Sequence, residues 1–234
     1  EIIPDTIVPA TGHNKNSESV EENRKEADCV NDGSYDEVVY CDVCGEELSR
    51  VTTTIDALGH TEIIDKAIRH IPDFPKPGIL FHDITGIFNM PEAFKACIDL
   101  MVEAYKDKDI HAVAAVESRG FLFAAPFAER LEIPLLLIRK KGKLPGETFS
   151  CKYALEYGTA EIEAHKSDIL TGKNYLVVDD LIATGGTLAA SRNVIEQGGG
   201  IVTDFFGVIG LPELNYDKAL APTRVTTLIN YGGK

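Results

Sequence analysis

From residue 62 onward the apolar positions fall into two alternating rhythms. Ile63, Ile64, Ala67, Ile68 and Ile71 recur at the spacing of one helical face. Pro72 then opens a proline-dense loop, with Pro75, Pro77 and Gly78, that predicts extended backbone. Pro91 suits the first turn of a second helix, whose stripe is Phe94, Cys97, Ile98, Met101, Val102 and Tyr105. Residues 111–116, 134–138, 175–179 and 201–209 read as short buried strands, and residues 121–131 and 187–197 as helices. Strands apolar on both faces and separated by helices predict an α/β fold, a twisted parallel sheet flanked by helices, with functional groups at the carboxyl ends of its strands. Residues 1–60 lack this rhythm. Their only aromatic residues are Tyr35 and Tyr40, and no stretch is amphipathic as a helix, so the segment cannot bury much apolar surface.

Composition sharpens the division. The chain has 234 residues, 44% hydrophobic, enough for one ordinary core and a small appendage. Its net charge of −14 argues against gripping nucleic acid or an anionic membrane, though a local basic pocket can still take a phosphorylated metabolite. No apolar run reaches the ~18 residues of a membrane span, and no signal-peptide pattern opens the chain, so it reads as soluble. Glu1 in place of Met fits a trimmed start. Residues 1–60 carry 14 acidic and 4 basic side chains, whereas residues 61–234 carry 23 and 19. That break predicts an acidic accessory module over 1–60 and a main domain over 61–234.

Three of the five cysteines lie in the acidic part, as Cys29 and the CxxC pair Cys41 and Cys44, between His13 and His60. A CxxC turn presents two thiolates on one side of a tight loop, and a third Cys with one His completes a tetrahedral zinc shell. Cys29, Cys41, Cys44 and either His, with His60 preferred, are the candidate zinc ligands. A disulfide with one spare thiol, or a degenerate module, is the alternative, because 15 residues separate His13 from Cys29 and Cys44 from His60, unlike common zinc fingers.

The main chemistry is concentrated in residues 175–188. A buried strand delivers adjacent carboxylates, Asp179 and Asp180, and a small-residue turn, Ala183, Thr184, Gly185, Gly186 and Thr187, then opens a helix. Amides of that turn can face a phosphate, and the helix dipole favours its charge. Two carboxylates beside a bound anion are suited to sugar hydroxyls or a cation, which predicts a phosphorylated sugar as ligand. The segment is neither a Walker A loop nor a GxGxxG turn.

With Phe74 to Asp83, Glu117 to Phe121, Leu137 to Gly146 and Leu155 to Gly158 in the same order, the chain resembles the type I phosphoribosyltransferases, and most closely their adenine-specific branch. The resemblance covers nearly all of 62–234. It implies purine salvage in the cytoplasm by a homodimer, forming AMP and pyrophosphate from adenine and 5-phosphoribosyl 1-pyrophosphate (PRPP) with Mg2+. It implies that Ser118, Arg119, Arg139, Lys140, Lys143 and Tyr157 join Asp179, Asp180 and residues 183–187 in binding PRPP. It also implies a mobile hood over about 140–158 in which Glu156 handles the N9 proton or steadies the closed loop, and adenine recognition by Ile79, Leu80, Phe81 and His82, with Phe81 stacking. Catalysis is expected of Glu156, Arg119, Asp179 and Asp180. Preference for another base, or a non-catalytic PRPP sensor, is the alternative. The Gly-His and CxxC arrangement of residues 1–60 resembles short repeat modules of bacterial surface proteins, which implies an accessory or attachment role and an exported origin for that segment.

Overall fold

The computed structural model describes residues 12–14, 18–25, 32–55, 59–154 and 158–232. The chain divides into two compact units, 1–59 and 60–234. In the first, β1 (Val20–Lys25), β2 (Gly33–Tyr40) and β3 (Glu47–Ile55) form an antiparallel sheet in that order. Val38 and Cys41 are its only fully buried apolar side chains among the described residues. One sheet face is instead a polar lattice, in which Arg50 reaches Glu22, Asp36 and Glu47 at 2.8–2.9 Å. Exposed ion pairs of this kind add only about 0–1 kcal/mol each and do not replace a core.

The second unit begins with α1 (Gly59–Ala67), β4 (Arg69–Pro72), β5 (Leu80–Asp83), α2 (Thr85–Phe88) and α3 (Pro91–Tyr105). The first expected helix therefore stops at Ala67. Ile71 lies 40% exposed on β4, off the helical face the spacing predicts. The proline loop is the connection of a hairpin, with Arg69 opposite Asp83 and Pro72 opposite Leu80, and left-handed Asp73 and Gly78 turn the chain there. Pro91 takes the first turn of α3, and Cys97 is core, its thiol pushed up to about 12 by burial.

The remainder runs β6 (Ala112–Val116), α4 (Gly120–Leu131), β7 (Leu135–Lys140), β8 (Thr148–Ala154), β9 (Thr159–His165), β10 (Asn174–Ile182), α5 (Gly186–Gln197), β11 (Ile201–Gly210), α6 (Tyr216–Leu220) and β12 (Arg224–Asn230). One sheet has the order β12-β11-β10-β6-β7-β9-β8. Its first five strands are parallel, as the buried patterns predict, and the β8–β9 hairpin joins antiparallel at the end of β7, with Arg139 opposite Glu163. Alternate residues Ala112, Ala114, Val116, Tyr175 and Val177 face one core cluster with Leu188, Val194 and Ile195 of α5. On another side of the fold Tyr105 of α3 packs edge-on against Phe127 of α4 and Phe206 of β11. Both faces of the sheet are thus covered, which leaves the strand ends as the place for a site.

Candidate active site

At the end of β6 the chain turns through Glu117, Ser118 and Arg119 into α4. Gly120 fixes how near that turn comes to β10, because a Cβ there would sit 2.8 Å from the Val178 carbonyl oxygen and 3.2 Å from Asp179 Cα. Only glycine permits this approach, and the consequence is direct contact between the turn and the paired carboxylates. Arg119 Nε donates to Asp180 Oδ2 at 2.6 Å. Asp180 is buried and its amide donates to Asp179 Oδ1 at 2.9 Å. Burial, with the neighbouring Asp180 carboxylate, raises the Asp179 carboxyl well above its ordinary value. A cavity of about 280 Å³ opens here, lined by Ser118, Arg119, Lys140, Tyr153, Asp180 and Thr187 among others.

Beside it lies a smaller cavity of about 80 Å³, walled by Asp179 and residues 181–188. The turn into α5 requires Gly185, which has φ +80° and would bring a Cβ to 3.0 Å from Leu220 Cγ. No side chain caps α5, so its first amides keep their donors for a ligand. A Cβ at Gly186 would make ordinary van der Waals contact, at 3.7 Å, with the Ala154 carbonyl oxygen and Thr184 Oγ1, so β8 lies against this side of the cradle. A helix N-terminus of this form is suited to a phosphate.

The basic segment after β7 is held from two directions. Glu117 Oε2 accepts the Lys140 amide at 2.9 Å and Arg139 Nε at 3.2 Å, contacts that lower its pKa. Glu163, buried on β9, accepts the amides of Gly142, Lys143 and Leu144 on Oε1 at 2.8, 3.1 and 3.2 Å. Its Oε2 takes Thr148 Oγ1 at 3.1 Å and Lys141 Nζ at 3.0 Å. One carboxylate thus shapes the whole turn that carries Lys140, Lys141 and Lys143.

Residues 83–200 match the phosphoribosyl transferase domain. The adenine phosphoribosyltransferase of Treponema denticola is 62% identical over 170 residues, 73% of this chain and 90% of that protein. The chain belongs to the adenine phosphoribosyltransferase family. A relative of the same name from Borreliella burgdorferi strain B31 is 46% identical over 171 residues, covering 73% of this chain and 97% of its own. Among solved structures, the adenine phosphoribosyltransferase of Thermoanaerobacter pseudethanolicus superposes with TM-score 0.70 at 44% identity, covering 73% of this chain and 99% of that one. The Saccharomyces cerevisiae enzyme, complexed with an imino-altritol bisphosphate and adenine, gives 0.69 at 37%, covering 73% and 98%. The chain is accordingly a pentosyltransferase that forms AMP and pyrophosphate from adenine and PRPP.

Against that family background, the structure brings Ser118, Arg119, Lys140, Asp179, Asp180 and Thr187 around one cavity. Arg139 is engaged with Glu117, and Lys143 is fixed through its backbone by Glu163. Glu156 and Tyr157 lie outside the described residues, between β8 and β9. On the β4–β5 hairpin, Ile79 and Leu80 are exposed and help line a shallow cavity of about 240 Å³, while Phe81 meets Phe74 edge-on at 5.1 Å. His82 is not at the surface. Its ring stacks on Tyr231 at 4.2 Å and its Nδ1 lies 2.9 Å from His70 Nδ1, and burial with the neighbouring His70 lowers its pKa.

Sequence reasoning missed Glu117, Tyr153 and Glu163. Tyr153 belongs to β8, whose Phe149, Cys151 and Tyr153 pack inward in strict alternation against the α5 cluster. That alternation was the available signal. In the first unit, Cys41 and Cys44 stand with His13, their ligand atoms all within 4.8 Å. The cause is local: the Asn14 carbonyl accepts the Asp42 amide at 3.0 Å and ties the His13 segment to the CxxC turn, while His60 belongs to α1. Cys29 lies outside the described residues.

Proposed function

We propose that residues 60–234 perform this transfer with PRPP spanning the two cavities and adenine meeting its anomeric carbon from the β4–β5 hairpin. The single observation that carries the reading is the convergence of Asp179 and Asp180, the uncapped start of α5 and the Ser118–Arg119 turn. The amides of residues 183–187 hold the 5′-phosphate. Asp179 and Asp180 accept the ribose hydroxyls, and Arg119 exchanges its bond with Asp180 for the substrate pyrophosphate.

Displacing pyrophosphate builds positive charge on the ribose and negative charge on the leaving group. Asp180 faces the first, and Arg119, Arg139, Lys140 and Lys143 meet the second. The oxygen-only donor set of Asp179 and Asp180 fits Mg2+, held mainly through its waters and substrate oxygens. When bound, the ion adds positive charge beside the leaving pyrophosphate. Phe81 stacks on adenine, and Ile79 and Leu80 present backbone groups to its edge. Glu156 takes the N9 proton, and the hood closing over PRPP excludes water that would compete with adenine.

No described helix is long and apolar enough to cross a membrane. PRPP is too highly charged to diffuse through one, so the reaction belongs in the cytoplasm where that donor is available. A homodimer would cover apolar surface that α4 and β7 leave exposed at Leu122 and Leu137. Residues 1–59 act as an accessory module, since no assigned catalytic group lies in them.

The test is AMP formation from PRPP and adenine, with and without Mg2+, beside hypoxanthine and guanine. Mg2+-dependent turnover with adenine alone is expected. Equal turnover of 6-oxo purines would overturn the base assignment, and PRPP binding without turnover of any base would overturn the catalytic one.

A further inference from the structure

Among its described residues the first unit shows almost no core. Among them Val38 and Cys41 are the fully buried apolar side chains, far less than a sheet of three strands needs to stand alone. Close to Cys41 lies the group of His13, Cys41 and Cys44, which the transfer reaction does not use.

Its geometry is that of a coordination shell. His13 Nδ1 lies 3.4 Å from Cys44 Sγ, and the three ligand atoms fall within 4.8 Å of one another. Tetrahedral zinc with Zn–S near 2.3 Å and Zn–N near 2.0 Å sets its ligands about 3.5–3.8 Å apart, so a small inward movement completes the arrangement. The ring is also oriented from outside. Glu46 Oε2 lies 3.3 Å from His13 Nε2, which keeps the proton on that nitrogen and turns the Nδ1 lone pair toward the thiols. The CxxC turn is closed by the Gly45 amide on the Cys41 carbonyl at 2.9 Å and by the Cys41 amide on the Glu46 carbonyl at 2.8 Å, and left-handed Gly45 permits the bend.

We propose that His13, Cys41 and Cys44 bind one Zn2+ as a structural site that stabilises residues 1–59, whose described residues bury little apolar surface. Two thiolates and one imidazole are the donor set for zinc rather than for Mg2+ or Ca2+. Binding is simple coordination: two thiol protons leave to solvent, no electron moves, and the fourth position is taken by water or a further side chain. Ordering of the unit is then linked to metal.

The experiment uses the full-length chain, purified with a reductant, stripped with a chelator, and titrated with Zn2+ against a chromophoric competitor. One zinc per chain is expected. Replacing it with Co2+ should give thiolate-to-cobalt charge transfer and the intense visible bands of tetrahedral geometry. Cys41→Ser and Cys44→Ser should each abolish stoichiometric binding, His13→Ala should weaken it at least about tenfold, a loss of about 1.4 kcal/mol, and His60→Ala should leave it unchanged. Zinc should also protect residues 1–59 of the wild-type chain from limited proteolysis, a readout independent of any variant's folding. AMP formation should be the same with and without zinc, so failure here is distinct from failure of the catalytic reading. The proposal is overturned by a wild-type chain that retains no more zinc than the Cys41→Ser/Cys44→Ser variant, by an octahedral cobalt spectrum without charge transfer, or by a Cys41–Cys44 disulfide in protein prepared without oxidant.

Discussion

Replacing Glu163 by Gln tests whether the basic turn after β7 is positioned by a single buried carboxylate. Glu163 is 2% exposed, and burial alone would push its pKa up; Lys141, the Leu144 amide, Thr148 and the Gly142 amide instead hold it at about 2. Gln preserves the shape and one carbonyl, so the three amides on Oε1 keep a neutral acceptor. It also presents an NH2 group to the Lys141 ammonium, which has nothing to accept it. A hydrogen bond to a charged group contributes roughly 1.5–3 kcal/mol and a neutral one roughly 0.5–1.5, so the exchange costs about 1 kcal/mol per amide. The half-exposed Lys141 pair adds little. A total of about 2–4 kcal/mol follows, concentrated in one turn and therefore expressed as loop opening rather than global unfolding. If about 2 kcal/mol of it must be restored when pyrophosphate binds, KM for PRPP rises roughly thirtyfold. Steady-state AMP formation with each substrate varied in turn reads this directly. KM for adenine at saturating PRPP should move little, and Glu161→Gln, which keeps a carbonyl acceptor for the Ser150 hydroxyl, should behave as wild type. A folded Glu163→Gln enzyme with unchanged PRPP kinetics would refute the positioning role. The same depressed pKa makes Glu163 stabilising above its ordinary 4.5, a contribution lost as pH falls toward about 2.

Asp179→Asn should raise stability while lowering activity. The folded pKa of Asp179 lies above its unfolded value of 3.8, so the native state loses stability as pH rises through that window, and a neutral Asn that keeps the Asp180 amide on Oδ1 escapes the loss. Ligand-free thermal melts should show the variant above wild type at pH 8, with the gap closing toward pH 4; a lower melting point at pH 8 would reverse the assignment. Asp179→Asn with Asp180→Asn should abolish turnover in a protein whose circular dichroism is native, and near-normal activity would remove the ribose-binding role. Gly120→Ala must displace backbone at Val178 and Asp179, so a loss of at least about 2 kcal/mol in denaturant unfolding and a fall in kcat are expected together. Deleting residues 1–59 should leave kcat/KM within a few-fold, and a folded but inactive remainder would move the domain boundary.

The parts of the fold legible in the sequence are those whose burial is two-sided. The five Ala and Val residues of β6 and the run from Tyr175 to Val178 have no solvent face, so their composition alone marks them as central strands. The hairpin of β8 and β9 was harder, because its inward residues Phe149, Cys151 and Tyr153 alternate with Ser150 and Lys152 inside a basic, glycine-bearing stretch that resembles loop. The first unit was harder still: a strand such as Glu47–Ile55 that buries almost nothing carries threonines and charges on both faces, and no hydrophobic rhythm remains to be read. The same physics governs the site. Asp179, Asp180 and the small-residue turn after them sit within nine positions, so local chemistry was visible. Glu117 and Glu163 act on backbone amides about twenty residues away, Glu117 across the parallel β6–β7 pairing and Glu163 across the antiparallel β7–β9 pairing, and periodicity encodes neither partner. A buried glutamate on a strand is conspicuous only once its neighbours are known, because three of the donors that make the burial of Glu163 tolerable are main-chain amides carrying no sequence signature. His82 follows the same logic, since its place is set by Tyr231 at the far end of the chain.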